Sequence, residues 1–153
     1  MTDLSPTARF WLDIVLARLG MPEWKRQECI AGAPVVIGEV KIVFLEPSSG
    51  EKGYVVARAV VGDVPPPGQC EALYQLALEV QAMLCGPHTP VLGLDWPARA
   101  LVVSCSLEIQ SLNADDAAAI LCSIQQMALQ WREAIAGMDT APASNAPRAV
   151  GQR

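Results

Sequence analysis

The feature that most constrains the fold is a β-branched segment, residues 54–61, whose two alternating sets of side chains are apolar except at Arg58. One set is Tyr54, Val56 and Val60, and the other is Val55, Ala57, Ala59 and Val61. Successive side chains of a β-strand point to opposite faces of the sheet. A sheet that is apolar on both faces has to be covered on both. The segment therefore predicts a strand in a sheet with packing partners on each side.

Four further strands are predicted around this segment. Residues 35–37 and 40–45 precede it, and residues 91–94 and 100–109 follow it. The composition of residues 47–50 is typical of a turn, which favours an antiparallel meander. In the last strand we expect a core face and a largely wet face. The core face is Leu101, Val103, Cys105, Leu107 and Ile109, and the wet face is Val102, Ser104, Ser106 and Glu108.

Three helices are predicted from their end signals. Ser5 is an N-cap candidate before Pro6, and the first helix continues until Gly20. The second helix covers residues 68–85 and is closed by a Gly-Pro pair. The third begins at Asn113, and one apolar stripe recurs along it at spacings of three and four. We interpret residues 21–34, which contain Trp24, as a loop.

These elements predict an α+β fold with the order α-β-β-β-α-β-β-α. We expect an antiparallel twisted sheet with helices packed against it, and a protein that forms a homodimer. We expect residues 1–137 to form a single domain and residues 138–153 to form a disordered tail, because residues 141–147 contain no bulky apolar side chain.

Composition indicates a protein that binds other proteins. The chain is 52% hydrophobic and 18% charged, while soluble domains carry nearer a quarter charged residues, so part of its apolar surface is expected to meet a partner. The net charge of −5 disfavours nucleic acid and anionic membrane as partners. With no signal peptide and no apolar run of spanning length, we expect a cytoplasmic protein.

A search for catalytic groups finds few candidates. The five cysteines show no C-x-x-C spacing, and we interpret them as structural thiols. The single histidine, His88, is in a turn, where a dyad with Cys85 is the enzymatic alternative to an ordinary loop histidine. Asp115 and Asp116 start a helix, where capping explains them better than acid-base chemistry. We predict no enzyme, no catalytic residue, no cofactor and no metal site.

The order of elements resembles that of the class I chaperones of bacterial type III secretion, also called Tir-chaperone-like effector chaperones. The resemblance covers residues 5–137. It rests on size, acidity and three short sequence motifs. They are Val-Val-Gly-Asp-Val-Pro at residues 60–65, Gly-Leu-Asp at residues 93–95 and Gln-Trp-Arg at residues 130–132.

The resemblance implies a homodimer that binds the N-terminal segment of one or more secreted effectors in extended form. It implies that the chaperone keeps this segment soluble and export-competent and aids its delivery to the secretion ATPase, without a cofactor. A non-enzymatic regulatory or adaptor subunit of a bacterial secretion assembly is the alternative function.

Two sets of site residues follow. The broad apolar arc of the second helix predicts a dimer interface at Leu73, Leu76, Ala77, Val80 and Leu84. The effector-binding residues are predicted to be Trp11, Val15, Ile42 and Phe44. On a helical wheel, Trp11 and Val15 lie on an outer flank while Ile14 fills the core. A core position for each of the four is the alternative.

Overall fold

A computed structural model describes residues 4–47, 53–84 and 86–140. In this part of the chain, four helices and five strands follow one another. In order they are α1 (Pro6–Arg18), α2 (Glu23–Ile30), β1 (Val35–Ile37), β2 (Val40–Leu45), β3 (Tyr54–Asp63), α3 (Pro67–Met83), β4 (Val91–Asp95), β5 (Ala100–Glu108) and α4 (Ala114–Thr140). The α+β class and the order of the predicted elements are confirmed, with α2 as an addition.

The five strands form one antiparallel sheet in the order β1-β2-β3-β5-β4. The long pair in its centre is β3 and β5, which stay in register from Tyr54 opposite Glu108 to Val60 opposite Val102. A β-bulge between Val60 and Gly62 then shifts the register. Bulges bend a strand and increase its twist, so β3 changes direction before it leads into α3.

The core lies between one face of the sheet, the inner face, and the helices. Helix α4 crosses this face against β2, β3 and β5, with α1 packed against α4 and α3 packed against α4 and β4. The apolar stripe of α4 is confirmed, because its buried members recur at spacings of three and four. They are Ala117, Leu121, Ile124, Ala128 and Trp131. The predicted core face of β5 is likewise buried from Leu101 to Leu107.

The opposite, outer face of the sheet corrects the expectation of packing on both sides. Its side chains are mostly half-buried or exposed, and Val36, Val60 and Val91 are exposed. Val102 was expected to be wet but is buried. Arg58 of β3 donates from Nη1 to Asp95 Oδ2 of β4 at 3.3 Å, across the intervening β5. Arg58 is opposite Ser104 and Asp95 is opposite Ala100, so the ion pair spans the position of Val102 on this face.

The ends of α1 follow the predicted signals. The Ser5 side chain accepts a hydrogen bond from the Ala8 N–H and caps the first turn. Gly20, with a φ of +75°, follows the last turn, and its N–H and that of Met21 donate to the carbonyl oxygens of Ala17 and Leu16. This is a Schellman motif, in which a left-handed residue favours glycine.

The predicted loop at residues 21–34 is wrong in part, because Glu23–Ile30 form helix α2. Only Cys29 of this helix is buried. A helix with one buried residue has no apolar stripe, so apolar residues do not recur at helical spacing in its sequence to indicate a helix.

Two helix ends also differ from their predictions. Helix α3 ends at Met83, before the Gly86 and Pro87 that were expected to close it. Helix α4 runs to Thr140, past the domain end predicted at residue 137. The turn at residues 48–50 and the tail from residue 141 onward lie outside the described residues.

Candidate partner-binding surfaces

Helix α3 is the least covered of the long helices. Only Leu73 and Ala77 of its 17 residues are buried. Leu78 is 69% exposed and Met83 is 84% exposed. A helix in a protein owes most of its stability to packing of an apolar face, so an apolar helix with this little cover is a candidate for an interface.

A groove runs along one side of this helix, between α3 and the edge strand β4. Its volume is about 250 Å³. The lining is almost wholly apolar and consists of Tyr74, Ala77, Leu78, Gln81, Leu92, Gly93, Leu94 and Leu101. Gln81 donates from Nε2 to the carbonyl oxygen of Leu92 at 3.2 Å, which ties the helix to the strand. We call these residues the α3–β4 groove.

A second groove, of about 200 Å³, lies on the other side of α3 against α4. Its lining includes three of the predicted dimer residues, Leu76, Val80 and Leu84, and α4 contributes Met127, Gln130, Trp131 and Ala134. Leu73 and Ala77 are buried within the chain. Neither side chain is accessible in the single chain, and their place in a dimer interface stays a prediction.

The exposed side of α1 is rotated relative to the prediction. Trp11 and Val15 are buried, and the Trp11 indole N–H donates to the carbonyl oxygen of Leu112 at 3.5 Å. Phe10 is 71% exposed and Ile14 is 40% exposed. They are four residues apart and lie on one side of the helix. We call Phe10 and Ile14 the α1 flank; the outer position expected for Trp11 and Val15 is wrong.

The two strand residues predicted to bind a partner are also on the inner face. Ile42 is fully buried, and Phe44 is partly buried against the same core. Ile42 contributes no accessible surface, because it belongs to the common core cluster. Of the four predicted effector-binding residues, only Phe44 retains some accessible surface.

Helix α2 adds an exposed aromatic residue that the sequence placed in a loop. Trp24 is 66% exposed at the start of this helix. Cys29 on the opposite side is buried, and burial raises the pKa of its thiol. Trp24 therefore belongs to the accessible surface, while Cys29 belongs to the core.

A wider cavity, of about 550 Å³, lies beside the turn between β4 and β5. It is lined in part by Pro65, Pro66 and Pro67, by Tyr74, and by Trp96 and Arg99. The Arg99 guanidinium lies 6.0 Å from the centroid of the Trp96 ring. This distance is at the outer limit of a cation-π contact, so the turn presents an aromatic and a cationic group together.

Of the groups considered for catalysis, those within the described residues take part in hydrogen bonds or ion pairs of the fold. The Cys105 thiol donates to the carbonyl oxygen of His88 at 3.1 Å, and burial raises the pKa of this thiol to about 11. Cys85 lies outside the described residues. Asn113 Oδ1 accepts from the Asp116 N–H at 2.8 Å, as an N-cap does.

The described residues also limit the chemistry of the surface. Within residues 4–47, 53–84 and 86–140, no three His, Cys, Asp or Glu side chains are grouped as metal ligands. No helix in that part of the chain combines the length and apolar character needed to cross a membrane.

The fold of the chain is similar to that of chains solved in type III secretion chaperone complexes. A chain of the ExsC–ExsE complex superposes with a TM-score of 0.59 at 16% identity, over 86% of this chain and 96% of that one. The HopA1–SchA chaperone–effector complex gives 0.59 at 15% identity, over 83% and 94%. The Yersinia pestis type III secretion chaperone SycH, in complex with a stable fragment of YscM2, gives 0.54 at 17% identity, over 80% and 98%.

The structure comparison finds similar proteins, whereas the sequence comparisons do not. No protein-family model matches the sequence, and no curated protein matches it significantly. The resemblance seen in the order of elements is thus confirmed as a likeness of fold.

Proposed function

We propose that this chain is a non-enzymatic, cytoplasmic chaperone of a type III secretion system. It binds the N-terminal segment of one or more effectors, keeps that segment soluble and export-competent, and aids its delivery to the secretion ATPase. The observation that carries the proposal is the fold, which is shared along 80–86% of this chain with chains solved in complex with a partner protein.

The accessible apolar surface supports this function. A segment that becomes ordered on binding loses conformational entropy, so it needs a large contact area to bind tightly. The α1 flank, Trp24 and the partly exposed Phe44 all offer such surface. These residues replace Trp11, Val15 and Ile42 as the proposed contacts for the effector.

We further propose that the chain is a homodimer through α3 and β4. The exposed apolar side chains concentrate on these elements, at Leu78, Met83, Leu84, Val91, Leu94 and Trp96. An interface of standard size buries about 1,600 Å². The two grooves beside α3 would receive side chains of the second copy.

Co-expression tests the function directly. The chain is produced together with tagged N-terminal segments of proteins exported by the type III system of the same bacterium, and each pair is separated by size-exclusion chromatography. We expect at least one segment to elute with the chain and to precipitate without it. If none is retained, the chaperone function is refuted. If retained proteins are never exported, the chain is an adaptor instead.

A further inference from the structure

Arg132 on α4 reaches three backbone carbonyl oxygens of the sheet. Its Nε donates to Val61 at 2.8 Å, and its Nη2 donates to Val60 at 2.9 Å. Its Nη1 donates to Glu39, in the turn between β1 and β2, at 3.4 Å. One guanidinium therefore connects α4 both to the bulge of β3 and to the hairpin at the edge of the sheet.

These carbonyl groups occur where β2 and β3 separate. The two strands pair only from Ile42 opposite Ala59 to Leu45 opposite Val56. The same register would continue to Val60 and Val61, but the pairing with β2 stops before them, where β3 has its bulge. Backbone groups without a ladder partner need another one. Arg132 supplies it, and its planar fork reaches several acceptors at once in a way that lysine cannot.

Helix α4 holds the same turn at a second point. Gly38, with a φ of +59°, lies so close to α4 that a Cβ atom there would be 3.3 Å from Gln125 Nε2. Gln125 and Arg132 are seven residues apart, which places them on the same side of the helix two turns apart. The β1–β2 hairpin is therefore located by α4 and not by ladder hydrogen bonds to β3 alone.

We infer that Arg132 is a positioning residue, which sets the angle of the β1–β2 hairpin and thereby the free edge of β1 on which a partner's extended segment pairs. The pairing of a partner's segment with β1 rests on the proposed function. In the described part of the sheet, β1 is an edge strand, and no strand pairs with its edge opposite β2. The other edge, at β4, is tied to α3 by the Gln81–Leu92 hydrogen bond. Since β1 has only three residues, a small change of its angle removes a large share of any added ladder.

Amide hydrogen exchange tests the position of the hairpin without a partner. The variants are Arg132→Lys, which keeps the charge, and Arg132→Gln. The control is Arg18→Gln, which removes an exposed arginine that pairs with Asp115. We expect exchange in residues 35–42 to rise about tenfold in both Arg132 variants, with β5 unchanged. No rise, or an equal rise throughout the sheet, overturns the inference.

A second variant approaches the same contact from the turn. Gly38→Asn tolerates the left-handed backbone but crowds Gln125, so it should reproduce the local exchange pattern even if the Arg132 variants fold poorly.

Affinity for the effector segment recovered by co-expression, measured as a labelled peptide, should fall about tenfold in Arg132→Lys and remain unchanged in Arg18→Gln. Unchanged affinity in Arg132→Lys overturns the positioning role. If the unmodified chain retains no segment, the proposed function fails, and the exchange comparison alone decides whether Arg132 holds the hairpin.

Discussion

Arg26 and Asp13 join α2 to α1, with Nε donating to Oδ1 at 2.8 Å. A second nitrogen of the same guanidinium, Nη1, donates to the carbonyl oxygen of Met21 at 3.0 Å, between the two helices. Helix α2 buries only Cys29, so these charged hydrogen bonds fix much of its position. The pair is partly shielded from water, whereas the Arg18–Asp115 pair of α1 and α4 is mostly exposed.

Arg26→Gln should lower the free energy of unfolding by about 1–2 kcal/mol, because hydrogen bonds to charged groups in partly buried sites contribute that much. Arg18→Gln is the matched control and should change it by less than about 0.5 kcal/mol, as exposed pairs contribute little. Urea denaturation measures both. Equal effects would mean that α2 is not held by Arg26.

The rotation of α1 seen in the structure distinguishes the proposed binding residues, Phe10 and Ile14, from the core residue Trp11. Trp11→Ala should destabilise the fold by about 3 kcal/mol or more, because it empties a buried site. Phe10→Asp and Ile14→Asp should leave thermal unfolding nearly unchanged and abolish capture of an effector segment. Gln126→Asp, at an exposed position of α4, controls for the added charge. Undiminished capture by both α1-flank variants would place the effector elsewhere.

Sedimentation should find a dimer at micromolar concentration, owing to the apolar surface of α3 and β4. Leu78→Asp combined with Met83→Asp should reduce the mass to that of one chain without unfolding it, since both side chains are exposed in the single chain. Gln75→Glu, on the exposed polar side of α3, should leave the dimer intact. A dimer that survives the double substitution, or an unmodified chain that sediments as a monomer, contradicts this interface.

Stability should fall at alkaline pH because of Cys105. Burial raises the pKa of its thiol from the ordinary value of 9.0 to about 11 in the folded protein. Between these values the unfolded chain releases the proton and the folded chain keeps it, so unfolding becomes more favourable as pH rises from 9 to 11. Cys105→Ala should show a shallower alkaline loss in melting temperature than the unmodified chain. Parallel pH profiles would exclude Cys105 as the cause.

Local signals were sufficient for much of the fold. Strands β1 and β2 begin and end where their β-branched runs do, at Val35–Ile37 and Val40–Leu45. The start of α1 follows from the Ser5 side chain, which satisfies an N–H of its own first turn. The narrow stripe of α4 allows only one orientation against the sheet. In each case the element is determined by residues that are close together in the sequence, or by a single apolar face that can pack in only one orientation.

The sequence alone also determined the class of fold, because the order of helices and strands and the antiparallel pairing follow from these local elements. Tertiary structure decided which apolar residues are accessible. The wide apolar arc of α1 is compatible with several rotations, and packing against α4 buried Trp11 and exposed Phe10. Val102 is buried on a face where Arg58 and Asp95, 37 residues apart in the sequence, form an ion pair across β5. Helix α2 is held by Asp13 and by one buried thiol. Burial depends on which neighbour covers a side chain, and that neighbour is brought there only by the folded chain as a whole.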